Sequence, residues 1–301
     1  MPAIPPWDPE EHLALMNRLN ISKSILSMSS PGTNLSPKNT TEARLLTRQC
    51  NIELSQYSKQ YPDRFSFFAS LPLPDIDGAL DEIDYARNTL GAVGFQILTN
   101  AHGVYPGDEI MAPVWDKLNE KQTIVFLHPT STMMMNQDGD IEPVIPNPRY
   151  PRPMLEFMFD ATRAFTTLLL SGTAKRCENI TFIGCHCGSA IPPLLDRVVG
   201  VAALMPDIAD DPVTAETARS LIHERFYFDL AGFPFPDQIH GLLRLTNASR
   251  LLYGSDYPYT NAAAVEQLAR TMDDELSQLF SEKECGDIYS GNSEILLDLG
   301  H

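Results

Sequence analysis

The sequence predicts an α/β protein of the (β/α)8 TIM-barrel type, and three observations lead to this prediction. Short runs rich in β-branched and aromatic residues alternate with longer segments of helical periodicity, which is typical of βα units around a parallel sheet. Segments such as TIVFL (123–127) and ITFIG (180–184) are almost continuously apolar, as strands buried on both faces are. No glycine-rich dinucleotide loop follows the first predicted strand, which favours a barrel over a Rossmann sheet.

The elements follow one another in βα order along the chain. The predicted strands are 23–30, 65–71, 92–98, 123–128, 180–186, 225–230 and 250–255. The predicted helices are about 9–19, 41–60, 76–90, 109–121, 153–172, 190–204, 236–247 and 261–272, several of them with Pro or Asp near the first turn. A barrel of the usual size needs eight strands, and residues 1–22 contain only a Pro-rich start and one helix. We therefore expect a single barrel domain over residues 1–301 that lacks its first strand.

Composition excludes several classes of function. The 301 residues contain 22 Lys and Arg against 39 Asp and Glu, a formal net charge of −17 that would repel a nucleic-acid backbone or an anionic membrane. No apolar run reaches the roughly 18 residues that span a bilayer, and the start does not resemble a signal peptide. Five cysteines without zinc-finger spacing indicate reduced thiols. We expect a cytoplasmic protein.

Residues 130–152 form a long, Pro-rich loop directly after the predicted strand 123–128. Loops of this length are commonly functional lids, and this one follows the carboxyl end of a strand, where barrels keep their chemistry. We interpret it as a substrate lid, with a surface insertion as the alternative. A second Pro-rich loop is predicted at 205–214.

Three strands end in side chains that can bind a metal ion. His128 and His186 close two of them, and Asp256 follows the last. In a parallel barrel all three would project from the same carboxyl-terminal rim, where imidazole and carboxylate groups can converge on one divalent cation. A histidine after an apolar strand is individually more often a core residue, so the prediction of a shared site depends on the three equivalent positions.

Three further residues are candidates for contact with a substrate, each with a structural alternative. Trp7 could cover the mouth of the pocket or pack beneath a helix. Asp160 and Arg163 lie on the helix after the lid and could face the site, where Arg would offer a fork for a carboxylate, or they could form a surface pair at i and i+3.

Six sequence blocks carry a resemblance to a known family: Trp7-Asp8-Pro9, Phe126-Leu127-His128-Pro129, Leu170-Ser171-Gly172, Cys185-His186-Cys187-Gly188-Ser189, Tyr253-Gly254-Ser255-Asp256-Tyr257-Pro258 and Ser290-Gly291-Asn292. They resemble the aminocarboxymuconate-semialdehyde decarboxylase family of the amidohydrolase superfamily, nearly end to end. Within that family, the chain is most similar to fungal 6-methylsalicylate decarboxylases, through its MPAIPPW start, its SSPG loop (29–32) and its MLEFMFDATRAF helix (154–165).

The resemblance implies a metal-dependent, non-oxidative decarboxylase, usually a homodimer, with zinc or manganese as its cofactor. It implies that His128 is a metal ligand, that His186 lies near the metal and acts on its bound water or on the substrate, and that Asp256 is a ligand or a proton donor. The specific expectation is conversion of 6-methylsalicylate to 3-methylphenol (m-cresol) and CO2 in polyketide secondary metabolism. A metal-dependent hydrolase of a lactone or amide on the same fold, and a non-catalytic relative, remain alternatives.

The chain departs from the family pattern at its start. Members begin with a strand that carries His-x-His and supplies the first metal ligands, and they carry an arginine upstream of Trp7-Asp8-Pro9. Neither feature occurs in these 301 residues. We expect an N-terminally shortened form of a working enzyme; an inactive relative, or a partner chain that supplies the strand, would also account for the sequence.

Overall fold

The structure is a computed structural model that describes residues 4–205 and 213–298. Its strands are β1 (Ser24–Leu26), β2 (Phe65–Ser70), β3 (Gly94–Leu98), β4 (Thr123–His128), β5 (Met133–Met135), β6 (Ile141–Pro143), β7 (Ile180–Gly184), β8 (Phe226–Asp229) and β9 (Leu251–Leu252). Its helices are α1 (Pro9–Arg18), α2 (Thr40–Gln60), α3 (Ile76–Tyr85), α4 (Ala112–Asn119), α5 (Glu156–Leu170), α6 (Thr173–Arg176), α7 (Ile191–Ala203), α8 (Ala215–Arg225), α9 (Gln238–Leu242), α10 (Ala262–Leu279), α11 (Glu282–Gly286) and α12 (Asn292–Asp298).

The main sheet is parallel throughout and has the order β1-β2-β3-β4-β7-β8-β9. Sequential strands are neighbours because each crossover carries helical structure that packs back on the sheet. The seven predicted strands and the α/β barrel class are confirmed. In the described part of the chain, β1 and β9 stand at the two ends of the sheet without pairing to each other.

The sheet curls so that its two end strands approach each other. The hydroxyl of Tyr259, in the loop after β9, donates to the carbonyl oxygen of Ser30, after β1, at 3.2 Å. In addition, α1, which precedes β1, is joined to α10, which follows β9, by a salt bridge between Arg18 and Glu266 with an N···O distance of 2.7 Å. The side chains at the carboxyl ends of the strands therefore face a common mouth.

Alternating side chains of the strands face two different layers. Phe67 of β2 and Phe182 of β7 are fully buried toward the helices, together with Trp115 of α4. The other set forms a second cluster inside the curl together with Leu296 of α12; its strand residues are Phe68, Ile124, Ile183, Tyr227 and Leu252. Burial of each large side chain contributes about 1.5–3 kcal/mol, so the sheet is held from both faces.

Several predicted boundaries differ from those of the structure. The strands predicted at 23–30 and 250–255 are shorter, and the helix predicted at 261–272 extends over Ala262–Leu279. Part of the predicted lid is an antiparallel hairpin of β5 and β6, which the sequence reading treated as a loop. Most of the predicted loop 205–214 lies outside the described residues. The single-domain boundary 1–301 stays a prediction. No helix in the described ranges has the length and apolar character needed to cross a membrane.

His12 of α1 is buried beneath the gap between the end strands and makes stability depend on pH. Its Nδ1 accepts a hydrogen bond from Trp7 Nε1 at 3.1 Å, and its Nε2 lies 3.4 Å from the hydroxyl of Ser24. Burial lowers the pKa of His12 from 6.5 to about 4. The neutral ring is therefore favoured in the folded state, and its contribution is present above pH 6.5 and lost as the pH falls toward 4.

We expect the free energy of unfolding to fall by on the order of 3 kcal/mol from this group across that pH range. The substitution His12→Gln should remove much of this pH dependence, measured by urea denaturation on either side of the range. The matched control is His240→Gln, at an exposed position on α9. An unchanged pH dependence in His12→Gln would contradict this account.

Candidate functional site

Four side chains that can bind a metal ion or exchange a proton lie at the carboxyl ends of adjacent strands. His128 ends β4, His186 follows β7 by two residues, Asp229 ends β8, and Asp256 follows β9. Each residue is only partly buried, so the mouth of the curled sheet is open to a ligand at all four. Their pKa values depend on one another: the charge of His186 acts on His128, on Asp229 and on Asp256. The four groups therefore belong to one site.

His128 presents one ring nitrogen to the mouth. Its Nδ1 lies 2.8 Å from the carbonyl oxygen of Pro129, and because a carbonyl can only accept, Nδ1 carries the hydrogen. Nε2 then holds a lone pair, and the only described group within hydrogen-bond distance of it is the hydroxyl of Ser29, at 3.4 Å. Burial, together with the charge of His186, lowers the pKa of His128 to about 4. The ring is thus a neutral donor of an electron pair, as a metal ligand must be.

His186 is oriented by a different carbonyl. Its Nδ1 donates a hydrogen bond to the backbone oxygen of Ala231, at 3.3 Å, which leaves Nε2 on the opposite side of the ring from that contact. Its backbone has φ 48°, in the left-handed region that is costly for a residue with a Cβ. Gly232, in the neighbouring loop, has φ +83°. A Cβ atom added at this position would lie 3.5 Å from Nδ1 of His186, so the loop passes close to the ring.

Asp229 is a site residue that sequence reasoning missed. Its Oδ1 accepts hydrogen bonds from the backbone nitrogens of His186, at 2.9 Å, and Ala231, at 3.0 Å. Burial raises its pKa, while the charge of His186 lowers it. The signal was present in the sequence, because the apolar run FYF is followed by this carboxylate, just as the runs TIVFL and ITFIG are followed by His128 and His186.

The carboxyl group of Asp256 keeps its proton to a higher pH than that of an ordinary aspartate. Burial raises its pKa, as does the negative charge of Asp229, and the charge of His186 opposes both. Thr260 donates to Oδ2 at 3.3 Å. The backbone of Asp256 has φ 54°, so this residue, like His186, is held in a strained conformation of the kind that clusters at functional sites.

The residues on this rim have the donor chemistry of a metal site but not a full set of ligands. Two imidazole nitrogens and two carboxylates suit zinc or manganese. Within residues 4–205 and 213–298, however, no three His, Cys, Asp or Glu side chains stand close enough together to hold one ion. The predicted departure at the start of the chain therefore has a structural counterpart: the rim is incomplete as an ion site.

The structure places Asp160 in a buried network behind the rim and not in contact with the mouth. It is 0% exposed. Its carboxylate accepts hydrogen bonds from the Thr99 hydroxyl, from Asn100 Nδ2 at 2.8 Å and from the Tyr105 hydroxyl at 2.6 Å. Thr99 in turn donates its backbone N–H to the carbonyl of His128 at 2.9 Å. Asp160 thus supports the strand end that carries His128, and a direct contact with substrate finds no support.

The substitution Asp160→Asn should lower the free energy of unfolding by about 2–4 kcal/mol, because an amide nitrogen would face donors that now bind a carboxylate. Urea denaturation would measure the loss, with Asp138→Asn, in an exposed turn of the lid, as the matched control. A change within about 0.5 kcal/mol would contradict the role of this network.

Arg163 and Trp7 occupy the structural positions that were left open as alternatives to contact with a substrate. Arg163 is exposed on α5, and its Nη1 donates to the hydroxyl of Thr132 at the start of the lid, at 3.2 Å. Trp7 packs against Tyr57 and Phe65, with ring centroids 5.0 and 6.3 Å apart. Phe65 begins β2, at the end of the strand opposite to the rim. The structure therefore brings His128, His186 and Asp256 together and leaves Trp7 apart from them.

The lid combines a buried base with an exposed arm. Thr130, Ser131 and Thr132 are buried, and the carbonyl of Ser131 accepts a hydrogen bond from Asn100 Nδ2 at 2.9 Å. The hairpin of β5 and β6 beyond them is largely exposed. The buried segment 130–132 is therefore fixed to the rim. The exposed hairpin of β5 and β6, the lid arm, is free to contact another surface.

Comparison with known proteins gives a consistent result. The chain matches the Amidohydrolase family over residues 2–299. It is 33% identical to decarboxylase macB of Penicillium terrestre over 91% of this chain and 81% of that protein. It is 30% identical to 6-methylsalicylic acid decarboxylase acuB of Aspergillus aculeatus, over 92% and 82% of the two chains. A crystal structure of dihydroxybenzoic acid decarboxylase from Polaromonas, with bound manganese, superposes with a TM-score of 0.78 at 21% identity, covering 98% of this chain and 87% of that one.

Proposed function

The chain belongs to the amidohydrolase family, and from this membership we propose that it is a metal-dependent, non-oxidative decarboxylase of a small aromatic acid. The observation that carries the proposal is the rim itself, where two imidazole groups and a carboxyl group of raised pKa face one mouth in a chain that is 33% identical to a fungal decarboxylase over 91% of its length. The specific substrate proposed is 6-methylsalicylate, giving 3-methylphenol and CO2 in secondary metabolism. It is the substrate that the name of the acuB relative indicates.

Asp256 is the proposed proton donor. Its raised pKa keeps the acid form available, and the proton passes to the ring carbon that bears the carboxylate. The bond from that carbon to the carboxylate then breaks, its electron pair restores the aromatic ring, and CO2 leaves. Asp256 regains a proton from solvent, so no oxidant, reductant or organic cofactor takes part.

The proposed cofactor is zinc or manganese, held by His128, by His186 and by Asp256 or its neighbour Asp229. Such an ion would neutralise and orient the carboxylate and ortho oxygen of a salicylate-type acid. Manganese in the Polaromonas enzyme supports a divalent ion in general. Because the described residues do not assemble three ligands, the chain's own affinity for the ion is expected to be weak.

The test is release of CO2 and 3-methylphenol from 6-methylsalicylate by the purified chain, with bound metal measured on the same sample. Formation of both products supports the proposal. Hydrolysis of a lactone or amide without CO2 would favour the hydrolase alternative. A stable fold with neither metal nor product would favour a non-catalytic relative, which is the second candidate because the ligand set is incomplete.

The proposed assembly is a homodimer in the cytoplasm, formed without nucleic acid or membrane. Its support is a group of exposed apolar side chains on and after the lid arm, because exposed apolar patches commonly mark sites of protein interaction. They are Met134, Met135, Ile141, Ile145, Tyr150, Met154, Leu155 and Phe159.

The substitution Met135→Asp should convert the dimer to a monomer, because a carboxylate in an apolar interface loses its hydration without gaining a partner. Met135 is 70% exposed, and the matched control is Ile295→Asp on α12, where the side chain is 60% exposed. Sedimentation equilibrium would report half the mass for the first variant and an unchanged mass for the second. Equal masses for both would place the interface elsewhere.

A further inference from the structure

The segment after β1 lies across the mouth of the curled sheet. The sheet order separates β1 from β4 by β2 and β3, yet Ser29 and Ser30 both reach the end of β4. The Ser29 hydroxyl is 3.4 Å from His128 Nε2, and the Ser30 hydroxyl is 2.7 Å from that of Thr130. On the other side, Tyr259 donates to the Ser30 carbonyl at 3.2 Å. The segment is thus fixed at both walls of the mouth.

The two serine hydroxyls differ in what they are free to do. Ser30 is held by Thr130 in a short bond between neighbouring loops. The Ser29 hydroxyl, in the described part of the chain, is within hydrogen-bond distance only of His128 Nε2, at the long end of the range. Its side chain is partly exposed. A ligand oxygen could therefore accept a hydrogen bond from the Ser29 hydroxyl, and only the long contact with His128 Nε2 would be lost.

The other polar groups of the rim are already engaged. His128 directs a lone pair into the mouth, because its Nδ1 donates to the Pro129 carbonyl. Nδ1 of His186 donates to the Ala231 carbonyl, and Asp256 is the group assigned above to protonation of the ring. A carboxylate ligand needs hydrogen-bond donors, and the Ser29 hydroxyl can rotate to supply one.

We propose that Ser29 determines specificity for the acid, by donating its hydroxyl hydrogen to a carboxylate oxygen of the aromatic ligand. The inference rests on the proposed function and adds the residue that recognises the anionic group. A hydrogen bond to a charged acceptor is stronger than one between neutral groups, so the contact separates an acid from the corresponding phenol.

The experiment compares the binding of two probes by calorimetry, using the whole chain as purified. Benzoate carries the carboxylate but lacks the ortho hydroxyl of the substrate, and 3-methylphenol carries no carboxylate. The substitution Ser29→Ala should weaken benzoate binding about tenfold and leave the affinity for 3-methylphenol unchanged. Ser29→Thr, which keeps the hydroxyl, should restore benzoate binding. A purely structural role would weaken both probes together.

Ser30→Ala is the matched control on the same segment. It removes the bond to Thr130 and should change the affinities for the two probes by the same factor. Benzoate binding that is equal in the wild type and in Ser29→Ala would overturn this inference and leave the proposed function standing. A wild-type chain that binds neither probe would overturn the proposed function and the role of Ser29 with it.

Discussion

The substitution Asp256→Asn should lower the turnover of 6-methylsalicylate by about two to four orders of magnitude while the protein keeps part of its metal. The amide has almost the same shape as the carboxylic acid, but it has no proton to give to the ring carbon. In the wild type, burial and the charge of Asp229 raise the pKa of Asp256, so its acid form persists to a higher pH than that of an ordinary aspartate. The wild-type rate should therefore decline on the alkaline side as this proton is lost.

Single-turnover release of CO2, with bound metal determined on the same sample, would measure this effect. The matched control is Asp237→Asn, an exposed carboxylate at the N-cap of α9, which should retain the wild-type rate. Wild-type turnover in Asp256→Asn would remove the residue from the chemistry. Complete loss of metal in that variant would instead assign Asp256 chiefly to binding the ion.

Position along the strands was enough to predict most of the fold and three residues of the site. The runs TIVFLH and ITFIG are buried almost throughout, and their ends carry His128 and His186 as predicted. A parallel curled sheet brings such ends together without any information about side-chain contacts. Asp229 obeys the same rule, but the strand predicted from the sequence runs to residue 230, so this carboxylate did not mark a strand end.

The direction that a helix residue faces, and the presence of a local hairpin, could not be predicted from the sequence in the same way. Asp160 is spaced to face either the mouth or the layer behind it, and only the packed structure shows that Thr99, Asn100 and Tyr105 surround its carboxylate. The lid hairpin pairs Met133–Met135 with Ile141–Pro143, without the alternation of polar and apolar residues that marks a half-buried strand. Trp7 is held by contacts with α2 and β2, which lie far from it in the sequence.

The sequence and the described structure both indicate an incomplete set of metal ligands. The sequence predicts seven barrel strands and contains no His-x-His motif, and within residues 4–205 and 213–298 the strands β1 and β9 stand at the two ends of the sheet without pairing to each other. The described rim supplies no group of three ligands. These residues alone should therefore bind a metal ion weakly.

The substitution His128→Ala should abolish both metal binding and turnover. The Pro129 carbonyl holds Nδ1, so Nε2 is the atom available to the ion, and alanine offers no substitute. With so few ligands on the rim, the loss of one should reduce affinity more than it would in a complete site. Metal content by mass spectrometry and CO2 release would be measured together, with His240→Ala, exposed on α9, as the control.

The two substitutions separate binding of the ion from transfer of the proton. His128→Ala is expected to lose metal and turnover together, whereas Asp256→Asn is expected to lose turnover first. Removal of His128 also removes a ring whose pKa is lowered to about 4, so the free energy of unfolding should decrease less in the variant than in the wild type as the pH falls below 6.5. Retained metal with normal turnover in His128→Ala would exclude it from the site, even if the change in acid sensitivity were observed.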